Sequence, residues 1–300
     1  MHYIWILFST ILLIVKSEQK RYTNSTTSHS YKIYSKGVVR EAYYVVPKYN
    51  LATCVVHKSF SSMLTGILCY LYMEKKFNRS FNHISGFTFK YDKCTEKIRY
   101  SSFKNMARAY HSTVRKNETF YQRWKVIMVV RHPIERFISG FSHFCLKHKG
   151  KSPKYELCLG CKSDVKCFVN RLQSKVNSKY RNMVHSHDGM KMHFFPQTMQ
   201  CKYYKNKNKF VIIKYESKNL DKFYNSLEDV LRRQSVPEEK VSYIDKEIRT
   251  HRVGHSTTGK EETIKLTKNI MNDRTLLKKL IEIYYTDFKE FNFPFPNISS

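Results

Sequence analysis

The chain has 300 residues, and its 54 Lys and Arg against 24 Asp and Glu give a formal net charge of +30. A hydrophobic fraction of 41%, with 22 Tyr and 20 Phe, is ample for the core of one large α/β domain or two small ones. The charge predicts a polyanionic partner. No zinc-finger spacing, RNA-recognition signature or basic zipper accompanies it, so nucleic acid is not the expected partner.

The N-terminus predicts a secretory or membrane-bound protein. An uncharged run of 13 residues, 3–15, precedes Lys16, Lys20 and Arg21. The run is shorter than the roughly 20 residues that span a bilayer, and it fits the apolar core of a signal peptide. A short type II anchor is the alternative, although the basic residues that follow do not favour that orientation. Residues 1–17 are therefore interpreted as a signal peptide or a short type II membrane anchor.

The next segment, 18–42, is polar and rich in Ser and Thr, which predicts a stem. Residues 43–300 then form the expected lumenal domain. Four N-glycosylation sequons begin at Asn24, Asn78, Asn117 and Asn297. Eight cysteines, an even number, favour disulfides in an oxidising compartment. A zinc site is the alternative, with ligands drawn from Cys158, Cys161, Cys167 and a fourth residue, Cys201 or His148.

Residues 51–62 predict an anion-binding loop between a strand and a helix. Leu51 to Val56 is an apolar, strand-like run, and the residues from Met63 to Leu71 follow a helical apolar stripe. Between them lie one lysine and three serines (Lys58, Ser59, Ser61, Ser62). Backbone N–H groups and the helix dipole favour an anion at such a junction, and the lysine adds positive charge.

A second strand–helix junction lies at residues 126–141. Val126 to Val130 is a continuous apolar run typical of a buried parallel strand. Pro133 ends the strand and can open a helix, whose apolar stripe continues to Cys145. Arg131 therefore stands at the carboxyl end of a strand, where α/β sheets bind ligands, and Ser139 lies on the helix that follows. An Arg fork with a nearby hydroxyl suits a phosphate group.

The rest of the chain predicts one more strand and two helices. Phe210–Glu216 is strand-like, and it follows the segment His193-Phe194-Phe195-Pro196-Gln197 and Cys201. Helical stripes cover about 220–231 and 273–288, the latter with Asp273 as N-cap. Residues 147–191 are basic and lack clean periodicity, which predicts an insertion facing the acceptor. Residues 251–262 are expected to form a polar loop near the ligand.

Three of these segments, in order, resemble the motifs of sulfotransferases, and of the carbohydrate (chondroitin and dermatan) branch in particular. The segment from Arg131 to Gly140 resembles the 3′-phosphate motif, and Lys58, Ser61 and Ser62 match the 5′-phosphosulfate loop. The third match is His193 to Gln197, with the following Cys and strand. His57 and Phe60 depart from the family, in which a proline and a small residue are usual. The likeness is greatest to nematode members.

The resemblance implies an α/β, P-loop-like sulfotransferase fold, with a central parallel sheet flanked by helices. It implies 3′-phosphoadenosine-5′-phosphosulfate (PAPS) as co-substrate and no metal. Lys58 is expected to stabilise the leaving phosphate. The cofactor-binding set implied by the match is Lys58, Ser59, Ser61, Ser62, Arg131 and Ser139.

The catalytic base is expected to be a histidine, because its unperturbed pKa suits proton transfer at neutral pH. His193 is the first candidate, and a structural hydrogen-bonding role is its alternative. His185 and His187 are competitors, since their His-Ser-His arrangement resembles that of uronyl 2-O-sulfotransferases. Arg136 is expected either to contact the nucleotide or to lie on the helix surface.

The expected activity is sulfation of an acidic glycosaminoglycan, with 4-O of N-acetylgalactosamine in chondroitin implied by resemblance alone. The same resemblance implies a Golgi membrane location with a lumenal catalytic domain, and secretion after signal cleavage is the alternative. Two other functions stay open. One is a catalytically inactive protein of this fold that binds acidic glycans, and the other is a sulfotransferase with a non-glycan acceptor.

Overall fold

A five-stranded mixed sheet with helices packed around it is the framework of the protein. The computed structural model describes residues 39, 41–89, 92–111, 119–147, 157–177, 188–253, 257 and 259–298, all within one compact unit, 34–300. The strands are β1 (Tyr43–Val46), β2 (Leu51–Cys54), β3 (Arg99–Tyr100), β4 (Lys125–Arg131) and β5 (Phe210–Tyr215). Their order in the sheet is β3-β1-β2-β4-β5.

Three neighbouring strands, β2, β4 and β5, run parallel, while β1 pairs antiparallel with both β2 and β3. The predicted α/β class and parallel centre are therefore confirmed, with an antiparallel edge added. The edge arises because β1 and β2 are joined by a single 3-10 turn, Pro47–Tyr49, which is too short for a parallel crossover. In the parallel register Cys54 lies opposite Met128, and Arg131 lies opposite Tyr215.

Helices surround this sheet and close the core. In chain order they are α1 (Ser61–Asn78), α2 (Asp92–Ile98), α3 (Phe103–Ala109), α4 (Phe120–Arg123), α5 (Pro133–Phe141), α6 (Val165–Asn177), α7 (Asp188–Phe194), α8 (Tyr203–Asn206), α9 (Leu220–Arg233), α10 (Glu238–Thr250), α11 (Glu261–Asn272) and α12 (Arg274–Glu290). A π-helical turn, Ser142–Leu146, continues α5. The 3-10 turns are Pro47–Tyr49, Ile84–Gly86, Gln197–Met199 and Lys207–Lys209.

The two predicted C-terminal helices are present as α9 and α12. Asp273 caps α12 as expected, because its Oδ1 accepts a hydrogen bond from the N–H of Leu276 at 2.9 Å. The stretch 147–191 differs from the prediction, since it contains α6, whose buried residues pack against α12. Irregular hydrophobic spacing before and after this helix concealed its apolar stripe.

All eight cysteines form disulfides: Cys54–Cys201, Cys69–Cys94, Cys145–Cys158 and Cys161–Cys167. The disulfide prediction is confirmed, and the alternative zinc site is wrong because its cysteines are already paired. Cys54–Cys201 joins the end of β2 to the segment after Gln197, across 147 residues of sequence. It therefore holds two of the motif segments together.

The predicted signal or anchor segment, 1–17, lies outside the described residues, as do Asn24 and Asn117. Within the part of the chain that the structure describes, no helix combines the length and the apolar character needed to cross a membrane. Glu41 and Ala42, at the end of the predicted stem, are buried against the folded chain.

Candidate active site

The loop after β2, residues 55–60, places Lys58 at the carboxyl edge of the sheet. Lys58 and Phe60 both adopt left-handed backbone conformations, with φ of 67° and 65°. Non-glycine residues tolerate this region at a cost and are found there at functional sites. The reversed backbone leads directly into α1, whose first residues are Ser61 and Ser62. The first-turn N–H groups of this helix, which is regular as far as a kink at Met73, have no intrahelical acceptor, and this suits an anion.

Lys58 is packed against groups from the π-helical turn after α5. Its Nζ lies 2.6 Å from Nδ1 of His143 and 4.9 Å from the ring centroid of Phe144. Burial, together with the positive charges of Arg131 and Arg136, lowers the pKa of Lys58 to about 7. The ammonium therefore loses its proton near neutral pH unless an anion is bound beside it.

Arg131, the last residue of β4, lies beside this lysine. Its Nη1 donates to the carbonyl of Lys58 at 3.4 Å, and its Nε donates to Oε2 of Glu135 at 3.3 Å. The guanidinium also lies 5.1 Å from the ring centroid of Tyr215, the residue paired with it on β5. These contacts fix the arginine at the edge of the pocket, and its side chain is 15% exposed.

An open cleft of about 750 Å³, part of which merges with solvent, lies over the ends of β2, β4 and β5. It is lined by three cations, four hydroxyl residues, three aromatic rings and a few other side chains. The cations are Lys58, Arg131 and Arg252; the hydroxyl residues are Ser61, Ser62, Ser139 and Thr257; the rings are Phe60, Tyr215 and Tyr224; the others are Met63, Ile248, His251 and Val253.

This lining fits a nucleotide with two phosphate groups. None of the described lining residues carries a carboxylate, whereas three carry positive charge. The hydroxyls of Ser61, Ser62 and Ser139 can donate to phosphate oxygens. Phe60 stacks on Tyr215 with centroids 5.9 Å apart and contacts Phe223 edge-on at 4.9 Å. The departure at Phe60 therefore adds an aromatic surface to the pocket wall.

Five of the six predicted cofactor-binding residues line this cleft, and Ser59 does not. The Ser59 side chain is buried, and its hydroxyl donates to Oε1 of Gln197 at 3.2 Å. The predicted Ser59 contact with the nucleotide is thus not supported by where the structure places this hydroxyl. Ser139 lies 3.4 Å from the hydroxyl of Thr257, which belongs to the polar loop before α11.

The buried side chain of Gln197 hydrogen-bonds to both predicted phosphate-binding segments. Besides Ser59, its Oε1 accepts from the N–H of Arg131 at 2.9 Å, and its Nε2 donates to the Arg131 carbonyl at 2.8 Å. Asp287 of α12 accepts from the N–H groups of Gln197 and Thr198 at 2.7 and 2.9 Å. A fully buried amide and carboxylate therefore set the spacing of the two loops.

His193, the predicted base, lies at the end of α7. It contacts a group of side chains around Lys58, here named the lysine cluster, which consists of His57, Lys58, His143, Phe144 and His193. Its Nδ1 lies 2.6 Å from the Gly189 carbonyl, so Nδ1 carries the proton and Nε2 is the basic atom. Its ring lies 4.5 Å from that of His57 and 4.6 Å from that of Phe144, between centroids. Burial, helped by nearby positive charge, lowers the pKa of His193 well below the usual value, so the imidazole is neutral.

His193 is not among the residues that line the cleft, but Phe144 contacts both it and Lys58. The two predicted catalytic groups therefore belong to one cluster. The departure at His57 lies in this cluster too, and burial lowers the pKa of His57 to about 3. The competing bases His185 and His187 lie outside the described residues.

Arg136 has neither of its two expected roles. Its side chain is fully buried, and its guanidinium donates to the carbonyls of His57, Met192 and Phe195, each at 2.9 Å. It therefore joins the loop that carries Lys58 to the segment that carries His193. Gly140, on the same helix, permits a close approach of α7, because a Cβ there would lie 2.8 Å from the Phe194 ring.

Several residues of the site have no signal in the sequence. His143 and Phe144 reach Lys58 because α5 ends in a π-helical turn, a feature often found at functional sites. Tyr224 and Arg252 come from α9 and from the segment after α10, far along the chain. The Gln197 side chain could have been suspected from its motif segment, but its partners could not.

Comparison with known proteins agrees with this geometry. The model of the Sulfotransferase family matches residues 41–294. The chain belongs to the sulfotransferase family. Carbohydrate sulfotransferase chst-1 of Caenorhabditis elegans is 30% identical to this sulfotransferase over 270 residues, 86% of this chain and 77% of that protein. An uncharacterized C. elegans protein is 28% identical over 288 residues, covering 94% of this chain and 77% of its own length.

A third C. elegans protein, vep-2, is 32% identical over 219 residues, which are 72% of this chain and 65% of vep-2. No solved structure matches the sulfotransferase chain. The family and the nematode likeness expected from the three motifs are therefore confirmed. Membership of the family implies PAPS as the sulfate donor.

The pKa of Lys58 makes nucleotide binding by this sulfotransferase depend on pH. Above a pKa of about 7 the free lysine is neutral, and a phosphate anion beside it restores the proton. We expect affinity for 3′,5′-adenosine bisphosphate to fall as pH rises through 7, with proton uptake on binding. Calorimetry in buffers of different ionisation enthalpy measures that uptake. Lys58→Arg, which stays charged, should abolish it; equal uptake in this variant would assign the proton to another group.

Proposed function

We propose that this protein transfers sulfate from PAPS to a hydroxyl of an acidic glycan. The observation that carries the proposal is the convergence of Lys58, Arg131 and the first turn of α1 on one cleft that lacks carboxylates among its described lining residues. The similarity to carbohydrate sulfotransferase chst-1 supports a carbohydrate acceptor. The net charge of +30 supports an acidic one, because a glycosaminoglycan carries carboxylates and often sulfates.

Within that class the proposed acceptor is chondroitin, with sulfate placed on 4-O of N-acetylgalactosamine. The proposed location is the Golgi membrane, with the catalytic domain in the lumen, and secretion after signal cleavage is the alternative. Four disulfides support an oxidising compartment. The acceptor position rests on the resemblance to the chondroitin branch.

In this proposal Arg131 and Ser139 hold the 3′-phosphate, while Ser61, Ser62 and the start of α1 hold the 5′-phosphate. The donor supplies an activated sulfuryl group, whose bond to the 5′-phosphate breaks as the acceptor oxygen bonds to sulfur. Lys58 neutralises the negative charge that grows on the leaving phosphate. His143 accepts a hydrogen bond from the protonated lysine and so fixes the direction of its ammonium. The chain mainly positions groups and balances charge.

His193 accepts the proton of the attacking hydroxyl through Nε2. Its hydrogen bond to Gly189 holds the tautomer that leaves this atom basic. His193→Asn retains a side-chain N–H donor for the Gly189 carbonyl but lacks a base. We expect kcat to fall about 100-fold in this variant. Nucleotide affinity and the melting temperature should stay near those of the wild type, and a kcat within a few-fold of wild type would assign His193 a structural role.

The proposal is tested by titrating the full-length protein with 3′,5′-adenosine bisphosphate and then assaying transfer of radiolabel from PAPS. We expect micromolar binding, weakened about 100-fold in Arg131→Ala through loss of a charge-assisted phosphate contact. Arg108→Ala, which removes an exposed arginine from α3, is the matched control. Desulfated chondroitin, dermatan and a non-glycan tyrosine peptide serve as acceptors, and disaccharide analysis locates the sulfate.

His57 and Phe60, the unusual residues in the loop that carries Lys58, keep a second function open. In that function the protein would bind acidic glycans without catalysis. Its signature would be retention on heparin by a folded protein that binds no nucleotide. Transfer to the tyrosine peptide but not to a glycan would instead overturn the carbohydrate acceptor.

A further inference from the structure

Two histidines and a glutamate form a compact cluster at the rim of the nucleotide cleft. His83 precedes the 3-10 turn Ile84–Gly86, Glu247 lies in the last turn of α10, and His251 follows that helix. Nδ1 of His83 lies 3.1 Å from Oε1 of Glu247, and Nδ1 of His251 lies 3.5 Å from the same oxygen. The two imidazole rings stack with centroids 3.8 Å apart. Two segments of the chain thus present three potential metal-ligand atoms that all lie within 4.8 Å of one another.

The spacing of these atoms suits a tetrahedral metal. Zn²⁺ binds imidazole nitrogen and carboxylate oxygen at about 2.0–2.2 Å, which places neighbouring tetrahedral ligands about 3.3–3.5 Å apart. The observed nitrogen–oxygen distances of 3.1 and 3.5 Å lie close to that range. The carboxylate is also fixed in orientation, because its other oxygen accepts from the Ile84 N–H at 2.8 Å. It therefore turns a single oxygen towards the two imidazoles.

The buried position of the Glu247 carboxylate also favours a bound cation. Its side chain is only 4% exposed, and within the described residues its ion-pair partners are His83 and His251, with no lysine or arginine. A buried carboxylate without a permanent cation is costly, and a bound metal removes that cost. His83 is 49% exposed, so an ion can reach the cluster from solvent.

His251 also forms a hydrogen bond with its neighbour Thr250. The Thr250 hydroxyl donates to the Lys246 carbonyl at 2.6 Å and lies 2.8 Å from Nδ1 of His251, so its oxygen accepts a hydrogen bond from that N–H. A metal at the cluster would replace this proton on His251. The same side chains are therefore already close, but the two rings are stacked, so one of them must turn before both nitrogens can face one ion. His83, which is 49% exposed, is the ring with room to turn.

We propose that His83, Glu247 and His251 bind one Zn²⁺ ion, with solvent in the fourth position. Two imidazoles, one carboxylate and an open position are a ligand set found in zinc sites. Because His251 and the next two residues, Arg252 and Val253, line the cleft, the ion would fasten this wall of the pocket to the 3-10 turn at Ile84. The site is separate from the lysine cluster and takes no part in sulfate transfer.

Two consequences can be measured. Zinc stabilises the fold by mass action, because it joins His83 to the end of α10, which lies 164 residues further along the chain. It also fixes the position of the segment that carries Arg252, which should tighten nucleotide binding a few-fold. The second consequence rests on the proposed nucleotide function, whereas zinc binding does not, so the two can fail separately.

The experiment uses the untagged full-length protein, stripped with a chelator and titrated with ZnCl₂ in competition with a chromophoric indicator. We expect one ion per chain with micromolar or tighter affinity, and a higher melting temperature with zinc than without. Co²⁺ should give the intense visible absorption of a tetrahedral site. In His83→Gln, which alters an exposed side chain, zinc affinity should fall about 100-fold and the absorption should disappear.

Two further variants make the result decisive. His251→Gln should lose zinc in the same way as His83→Gln, and His111→Gln, an exposed histidine outside the cluster, should bind zinc like the wild type. A stoichiometry below one ion per chain, or cobalt absorption that survives in both cluster variants, would overturn the proposal and leave a hydrogen-bonded His–Glu–His cluster. Absence of nucleotide binding with intact zinc binding would count against the sulfotransferase activity alone.

Discussion

Replacement of Lys58 by alanine is expected to lower kcat for sulfate transfer about 1000-fold, the upper range for removal of a group that stabilises transition-state charge. The effect on kcat is expected because Lys58 stabilises a charge that develops during the reaction. The negative charge on the leaving phosphate grows as the bond to sulfur breaks, so the ammonium contributes more in the transition state than in the bound substrate. Affinity for 3′,5′-adenosine bisphosphate should fall less, about 10-fold, because Arg131 and Arg252 remain in the cleft.

The surroundings of Lys58 strengthen this expectation. The ammonium is held at 2.6 Å by His143 and lies over the Phe144 ring, so it does not need to reorganise during the reaction. Lys125→Ala, at the opposite end of β4, is the matched control and should leave kcat unchanged. Initial rates and calorimetry on the same preparations separate kcat from binding. A folded Lys58→Ala protein that retains more than about a tenth of the wild-type kcat would exclude the assigned role.

The sequence predicted those parts of the site that are local in the chain. Each predicted phosphate segment combines an apolar strand with a following helix, and the parallel alignment of β2 and β4 brings Lys58 and Arg131 to one edge of the sheet. Short-range periodicity specifies each strand and helix. The rule that parallel strands bind ligands at their carboxyl ends then predicts that these two segments, which are distant in sequence, meet at one site.

The supporting residues could not be predicted in this way. Gln197 and Asp287 meet across 90 residues, and both are buried polar groups whose partners depend on the final packing. His143 depends on a π-helical turn, which hydrophobic periodicity does not reveal. Ser59 resembles its neighbours in sequence, yet the backbone reversal at Lys58 and Phe60 turns it towards the protein interior. Contacts between distant segments decide each of these cases.

Arg136 is the clearest example, and replacing it with methionine is expected to destabilise the protein by about 3–5 kcal/mol. Methionine fills a similar volume but leaves the carbonyls of His57, Met192 and Phe195 without their donor. Each unsatisfied buried acceptor costs about 1–3 kcal/mol, and relaxation recovers part of the sum. For a domain of this size the loss corresponds to a fall of about 10 °C in melting temperature.

Arg136→Lys should restore little of this stability, because a single ammonium cannot match three carbonyls arranged around a planar guanidinium. Arg171→Met is the matched control, since Arg171 is an exposed arginine that donates to the Leu159 carbonyl. It should change the melting temperature by no more than about 2 °C. Thermal unfolding followed by circular dichroism measures all three variants.

Catalysis should fall with stability in Arg136→Met, even at temperatures at which the variant is fully folded. The guanidinium joins the loop that carries Lys58 to the segment that carries His193. Without it, Lys58 and the candidate base His193 can move independently of each other. Displacements of about 1 Å at such groups cost about 100-fold in rate. If Arg136→Met melts close to the wild type and keeps its kcat, the spacing of the two catalytic segments must instead be set by Gln197 and the Cys54–Cys201 disulfide.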